Sequence, residues 1–153
     1  RLTIGSGNDQ VDLYYFGRGH TGGDVWVVFP ALRVMHAGDM FPGKQVPIMD
    51  QSNGGSGVEY ARTLRLAHAT VTDIDTVITG HSTVMTRADI PEMADFVDGF
   101  VADVRAQKLA GRSAAQIAQD WQPQPRFRTA YAVPGADRLQ PYVQVIFDEL
   151  DAQ

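Results

Sequence analysis

The chain contains no cysteine. Disulfides, thiolate zinc sites and cysteine nucleophiles are therefore excluded. It contains no apolar run near the ~18 residues needed to span a bilayer. It opens with no secretory leader pattern, and nothing in it assigns a compartment. It carries no excess of basic charge: 13 Lys and Arg against 18 Asp and Glu give a net charge of -5. That balance lacks the electrostatic footprint of a nucleic-acid binder and disfavours docking on an anionic membrane. There is no internal repeat, low-complexity tract or flexible linker. The first residue is Arg1 rather than methionine, and strand-like residues follow at once, so a processed or partial polypeptide is expected. What remains is 153 residues, 44% hydrophobic and 20% charged, enough for one cored domain.

Strand signals come first. Residues 2–5 are short and strand-like, and a Gly-Ser-Gly-Asn-Asp turn follows at 5–9. Residues 11–16 are rich in β-formers and should pair back as a hairpin. Residues 25–29 form an apolar run stopped by Pro30, as a buried strand would be. Residues 32–36 give another strand, ending at Gly38. Strands this close in sequence imply an antiparallel meander. Residues 40–56 read as loop. A helix over about 58–71 is expected from Val58, Ala61, Leu64 and Val71, with Ala67 between, which fit a 3.6 period. Residues 76–79 form a strand leading into Gly80-His81. The longest helix is predicted over about 89–109, from the stripe Ile90, Met93, Val97, Phe100, Val101 and Val104. Thr86 or Asp89 is its expected cap. Ser113 with Gln116 makes a capping-box pattern for a short helix to about Trp121. A last helix is expected to begin near Pro141. Trp121, Tyr131 and Tyr142 lie in a region without a motif.

The chemistry gathers in three turns. Gly17-Arg18-Gly19-His20-Thr21-Gly22-Gly23-Asp24 separates two strand-like segments. Nineteen residues after His20 comes Asp39, in Ala37-Gly38-Asp39. Forty-two residues further on comes His81, in Thr79-Gly80-His81-Ser82. Imidazole and carboxylate are the natural zinc ligands when thiolates are absent. Each of the three sits in or beside a glycine-containing turn at the end of an apolar run, where a sheet can fix its direction. His36 ends a strand three residues before Asp39 and is read as packing beside the site. His68 falls on a helix stripe and is read as a packing residue. The Asn53-Gly54-Gly55-Ser56-Gly57 loop allows close approach of a ligand to backbone. Asn53 is therefore a weak candidate for substrate binding, against a plain surface loop.

These segments resemble the C-terminal half of the metallo-β-lactamase fold superfamily. The carrying residues are Gly19-His20-Thr21 with Asp24, Ala37-Gly38-Asp39 and Thr79-Gly80-His81-Ser82, in matching order and separation. The resemblance implies an α/β fold: half of an αββα sandwich, a mostly antiparallel sheet followed by helices. Residues 1–153 would form one unit, with sheet and ligand loops in 1–85 and a helical tail in 86–153. It implies that His20 ligates a first metal, that Asp39 bridges two metals or serves the second, and that His81 ligates the second. Asp39 would thus be the catalytic residue. Thr21 and Asp24 would hold the His20 turn. The implied cofactor is zinc, one or two ions in the intact protein. The family's His-x-His-x-Asp-His element is missing, since no two of the four histidines lie two apart.

The expected activity is therefore that of a metal-dependent hydrolase, with a metal-activated water attacking an ester, thioester or amide-type small molecule. With half its ligands absent, this chain alone should bind zinc weakly and be inactive. Two other readings stay open. One is a non-catalytic half-domain that persists as a dimer. The other is an iron or manganese site doing redox chemistry, which His and Asp ligands permit. A lone half-sandwich exposes an apolar sheet face, so a homodimer or association with the missing half is expected, with residues 11–36 near the contact.

Overall fold

The computed structural model describes residues 1–152. Among the described residues, six strands form one sheet in sequence order: β1 (Leu2–Ile4), β2 (Val11–Tyr14), β3 (Trp26–Phe29), β4 (Val34–Gly38), β5 (Thr76–Thr79) and β6 (Met85–Thr86). Every neighbouring pair is antiparallel except β4–β5, which is parallel. The parallel step needs a crossover, and α1 (Gly57–Thr70) supplies it. Three more helices follow: α2 (Asp89–Leu109), α3 (Ala114–Asp120) and α4 (Ala136–Asp151). The expected meander is present in β1–β4. The pair β5–β6 adds a short strand that sequence patterning did not indicate, because two residues carry no periodicity.

Sheet register explains which side chains enter the core. Asp12, Val28, Met35, Val77 and Met85 are successive partners across β2–β6 and so share one face. The helices cover that face, and Trp26, Val28, Met35, Ala37 and Val77 are buried in a single core with α1, α2 and α4. Asp12 is the polar member of the row. Its carboxylate accepts from Arg1 Nη2 at 2.6 Å, Thr3 Oγ1 at 2.6 Å and Gln10 Nε2 at 3.1 Å. The opposite face carries Leu2, Leu13, Val27, His36 and Ile78 in one row. No helix lies over it among the described residues, and Leu2, Ile4 and Ile78 remain 61%, 53% and 36% exposed.

Helix ends show local chemistry at work. Ser56 caps α1 by accepting from Glu59 N, and Glu149 of α4 accepts from Gly57 N at 2.8 Å and Val58 N at 3.1 Å. A carboxylate there satisfies free amides and opposes the helix dipole. The capping box of α3 forms as expected between Ser113 and Gln116. Two expectations fail. Neither Thr86 nor Asp89 caps α2: its N-cap is Ala88, without a side-chain cap. The Asp89 carboxylate instead accepts from Thr86 N and Oγ1, closing the turn before the helix. The last helix begins at Ala136, not near Pro141, which lies inside it. Proline there forfeits one backbone bond. Burial of Leu139, 1% exposed, offsets this with about 1.5–3 kcal/mol.

The region without a motif is core. Phe96 of α2 stacks on Tyr131 with ring centroids 4.2 Å apart, and Trp121 packs on Phe100 at 4.5 Å. Tyr142 packs against the core's rim.

Candidate metal centre

Topology brings the three turns to one end of the sheet. His20 lies in the β2–β3 connection, Asp39 follows β4 and His81 follows β5. Since β2 and β3 are antiparallel, β3 and β4 antiparallel and β4 and β5 parallel, these are the same edge. The side chains meet there. Asp39 Oδ2 is 3.5 Å from His20 Nε2, and Asp39 Oδ1 is 3.0 Å from His81 Nε2. Asp39 therefore sits between the imidazoles, with one carboxylate oxygen toward each.

Each member is held by its own turn. His20 Nδ1 lies 3.0 Å from the Ile48 carbonyl. A carbonyl only accepts, so this contact calls for a proton on Nδ1, which in a neutral ring leaves Nε2 as the free acceptor nitrogen. The His20 turn is closed by Asp24, whose Oδ2 accepts from Thr21 N at 2.7 Å, while Thr21 Oγ1 accepts from Gly23 N at 3.1 Å. It also interlocks with the loop before α1. Asp50 N donates to His20 O at 2.9 Å, Gly22 N to Asn53 O at 2.8 Å and Ser56 N to Gly19 O at 2.8 Å. Arg18 adds bonds to Gly54 O at 2.8 Å and Gly55 O at 3.1 Å.

Asp39 fits because residue 80 has no side chain. A Cβ on Gly80 would lie 2.2 Å from Asp39 Oδ1. His81 is the most exposed of the three, in a turn where Thr79 Oγ1 accepts from Ser82 N at 3.1 Å. Tyr60 of α1, fully buried, donates to Asp39 O at 2.8 Å. Burial first, then the charges of Asp24 and Asp39, push its phenol well above the ordinary value, so it stays a donor.

The other candidates sit apart. His36 Nδ1 accepts from Gly38 N at 3.1 Å and the residue faces the open side of the sheet. His68 is half-buried on α1, and its carbonyl accepts from Arg87 at 2.6 Å. Asn53 is exposed beside the His20 turn, with its amide donating to Asp50 Oδ2 at 2.8 Å. Sequence reading missed Tyr60, Met40 and the Ile48 carbonyl. No residue-type pattern marks a contact made through backbone.

The donors present suit zinc in kind but not in number. Among the described residues no group of three or more His, Asp or Glu side chains is gathered closely enough to hold an ion by itself. The reason is visible in the carboxylate: its two oxygens face different imidazoles, so only one imidazole nitrogen approaches each oxygen. A catalytic zinc usually takes three.

No protein-family model matches the chain, and no curated protein does either. Solved structures do. A metallo-β-lactamase from Pontibacter korlensis is similar over 63% of this chain and 45% of its own, at 15% identity and TM-score 0.54. A metallo-β-lactamase from Erythrobacter litoralis, solved with β-mercaptoethanol in its active site, is similar over 57% and 39%, at 25% identity and TM-score 0.50. The fold is that of the metallo-β-lactamase superfamily, and the sheet with its single helical layer is half of that sandwich. The chain spans less than half the length of these two structures.

Proposed function

We propose that this chain is the C-terminal half of a zinc-dependent hydrolase and carries an incomplete share of its metal centre. The observation that supports the reading is the Asp39 carboxylate placed between the Nε2 atoms of His20 and His81. His20 would hold one ion and His81 a second, with Asp39 between them. A metal held there would supply an activated water and a Lewis acid for a carbonyl. The chain's own residues orient that chemistry: the Ile48 carbonyl selects the His20 tautomer, and Asp24 with Thr21 fixes the turn that presents it. Arg18, in the His20 turn, is already paired with Glu59, and Lys44 with Asp89 and Glu92. A small uncharged ester, thioester or amide fits this setting better than a polyanion.

With two protein donors per ion, the chain alone is expected to bind zinc weakly and to hydrolyse little. Zinc titration by calorimetry tests this. Weak binding that Asp39→Ala abolishes is the expected outcome. Submicromolar affinity in a verified monomer, or binding indifferent to that substitution, would refute it.

The open sheet face favours a second reading, a non-catalytic half-domain that persists as a dimer. The row Leu2, Leu13, Val27, His36 and Ile78 would then meet its counterpart in another copy. In the hydrolase reading the same face meets the remainder of the sandwich. Sedimentation of the chain alone separates them: a tight dimer without any zinc response supports the second.

A further inference from the structure

We propose that Asn53 is a deamidation site held shut by Asp50, and that its conversion to aspartate loosens the loop bracing the His20 turn. The proposal needs no metal. The chain has two asparagines, Asn8 and Asn53, and only Asn53 precedes a glycine. A glycine leaves its own amide nitrogen open to approach the preceding side chain, since no Cβ stands in the way. Glycine is also what this turn requires: Gln51–Asn53 form a single helical turn, which Gly54 ends in a left-handed conformation at φ 79°. Asn53 is exposed to the water that the reaction consumes. Gly54 N bonds to Asn53 Cγ, the Cγ–Nδ2 bond breaks, and the departing amide takes the Gly54 proton to leave as ammonia. Water then opens the cyclic imide to aspartate or isoaspartate, with no oxidation or reduction at any step.

Both reacting groups are occupied in the folded turn. Gly54 N donates to Gln51 O at 3.0 Å. Asn53 Nδ2 donates to Asp50 Oδ2 at 2.8 Å, while Asp50 Oδ1 accepts from Asn53 N at 3.2 Å and Ser52 Oγ at 2.6 Å. Reaction therefore waits for the turn to open. Aspartate at 53 then removes the donor: two carboxylates, both ionised at neutral pH, face each other where one hydrogen bond stood. Two braces of the His20 turn run through these residues, Asp50 N to His20 O and Gly22 N to Asn53 O. Others, Ser56 N to Gly19 O and Arg18 to Gly54 O and Gly55 O, engage residues after Asn53, so the loosening is local rather than a loss of the fold.

Peptide mapping by mass spectrometry, on the full chain incubated in mildly alkaline buffer with and without urea, tests the clamp. Deamidation is expected at Asn53 and not at Asn8, about tenfold slower in buffer than in urea, since a hydrogen bond to a charged acceptor must first break. Asp50→Ala in buffer should recover most of that difference. Equal rates in buffer and urea, or Asp50→Ala deamidating as slowly as wild type, overturn the clamp. Amide hydrogen exchange tests the consequence. Asn53→Asp should speed exchange about tenfold at Gly22, Asp50 and Gly54, and leave Ser56 and the amides of α3 unchanged. Asp50→Asn combined with Asn53→Asp rebuilds the pair with donor and acceptor exchanged, and should restore wild-type protection. Undisturbed amides in Asn53→Asp, or a double variant no better protected than that single one, overturn the proposal.

Discussion

Replacing Gly80 by alanine should damage the fold and the candidate centre at once. The added Cβ would lie 2.2 Å from Asp39 Oδ1, 2.8 Å from Gly38 O and 3.0 Å from Gly38 C. The first clash can be relieved by rotating the carboxylate, at the cost of its 3.0 Å contact with His81. The other two involve backbone. Ordinary Cβ contacts begin near 3.4 Å, so β4 and β5 must separate by about half an ångström at their last rung, Gly38 with Thr79. Overpacking of this kind costs about 1–3 kcal/mol. Lower unfolded-state entropy returns about 0.4–1 kcal/mol. The net expectation is a loss of about 1–2 kcal/mol in urea unfolding, with the Asp39 and His81 signals displaced. Gly23→Ala is the control: its Cβ would enter open space in the His20 turn, and with no clash to offset the entropy term it should gain about 0.4–1 kcal/mol. Gly80→Ala that unfolds at the wild-type midpoint, with His81 undisturbed, would refute the steric argument.

Three more outcomes are expected. Glu149→Ala should leave the Gly57 and Val58 amides unanswered and lower stability by about 0.5–2 kcal/mol, read from urea midpoints. Leu139→Ala should cost about 2–5 kcal/mol, since that side chain is buried in the core beneath α4; a smaller loss in the same assay would mean α4 is held elsewhere. Hydrogen bonding from Thr3, then Arg1 and Gln10, holds the Asp12 carboxyl below its ordinary value. A carboxyl depressed in the folded state stabilises above its unfolded pKa and loses that contribution as pH falls through the folded one. Stability should therefore drop on acidification below about pH 4, with β1 amides losing exchange protection first, and Asp12→Asn should flatten that part of the profile.

Much of this architecture was legible before any coordinates. The bounds of α2 and β5 follow from a clean apolar stripe and from a β-branched run ended by glycine. The convergence of His20, Asp39 and His81 follows once strand directions are known, because alternating connections return to one edge. Other parts carry no signal in residue type. Pro141 suggested a helix start because proline suits a first turn, yet Leu139 needed burial and drew the helix back to Ala136. The hold on Asp39 and His20 passes through the carbonyls of Asp39 and Ile48 and the sulfur of Met40. Carbonyls are common to every residue, so only the folded geometry reveals which ones matter.

The strand Leu2–Ile4 lies at the margin of the sheet, with only β2 beside it among the described residues. Its outer side offers backbone donors and acceptors without a ladder partner, next to exposed Leu2 and Ile4. Such margins invite templated fibre growth. Arg1, which precedes that strand, is drawn onto Asp12. Handling the chain at high concentration should therefore favour amyloid-like deposits seeded from its first residues, and a lysine in place of Ile4 should suppress them.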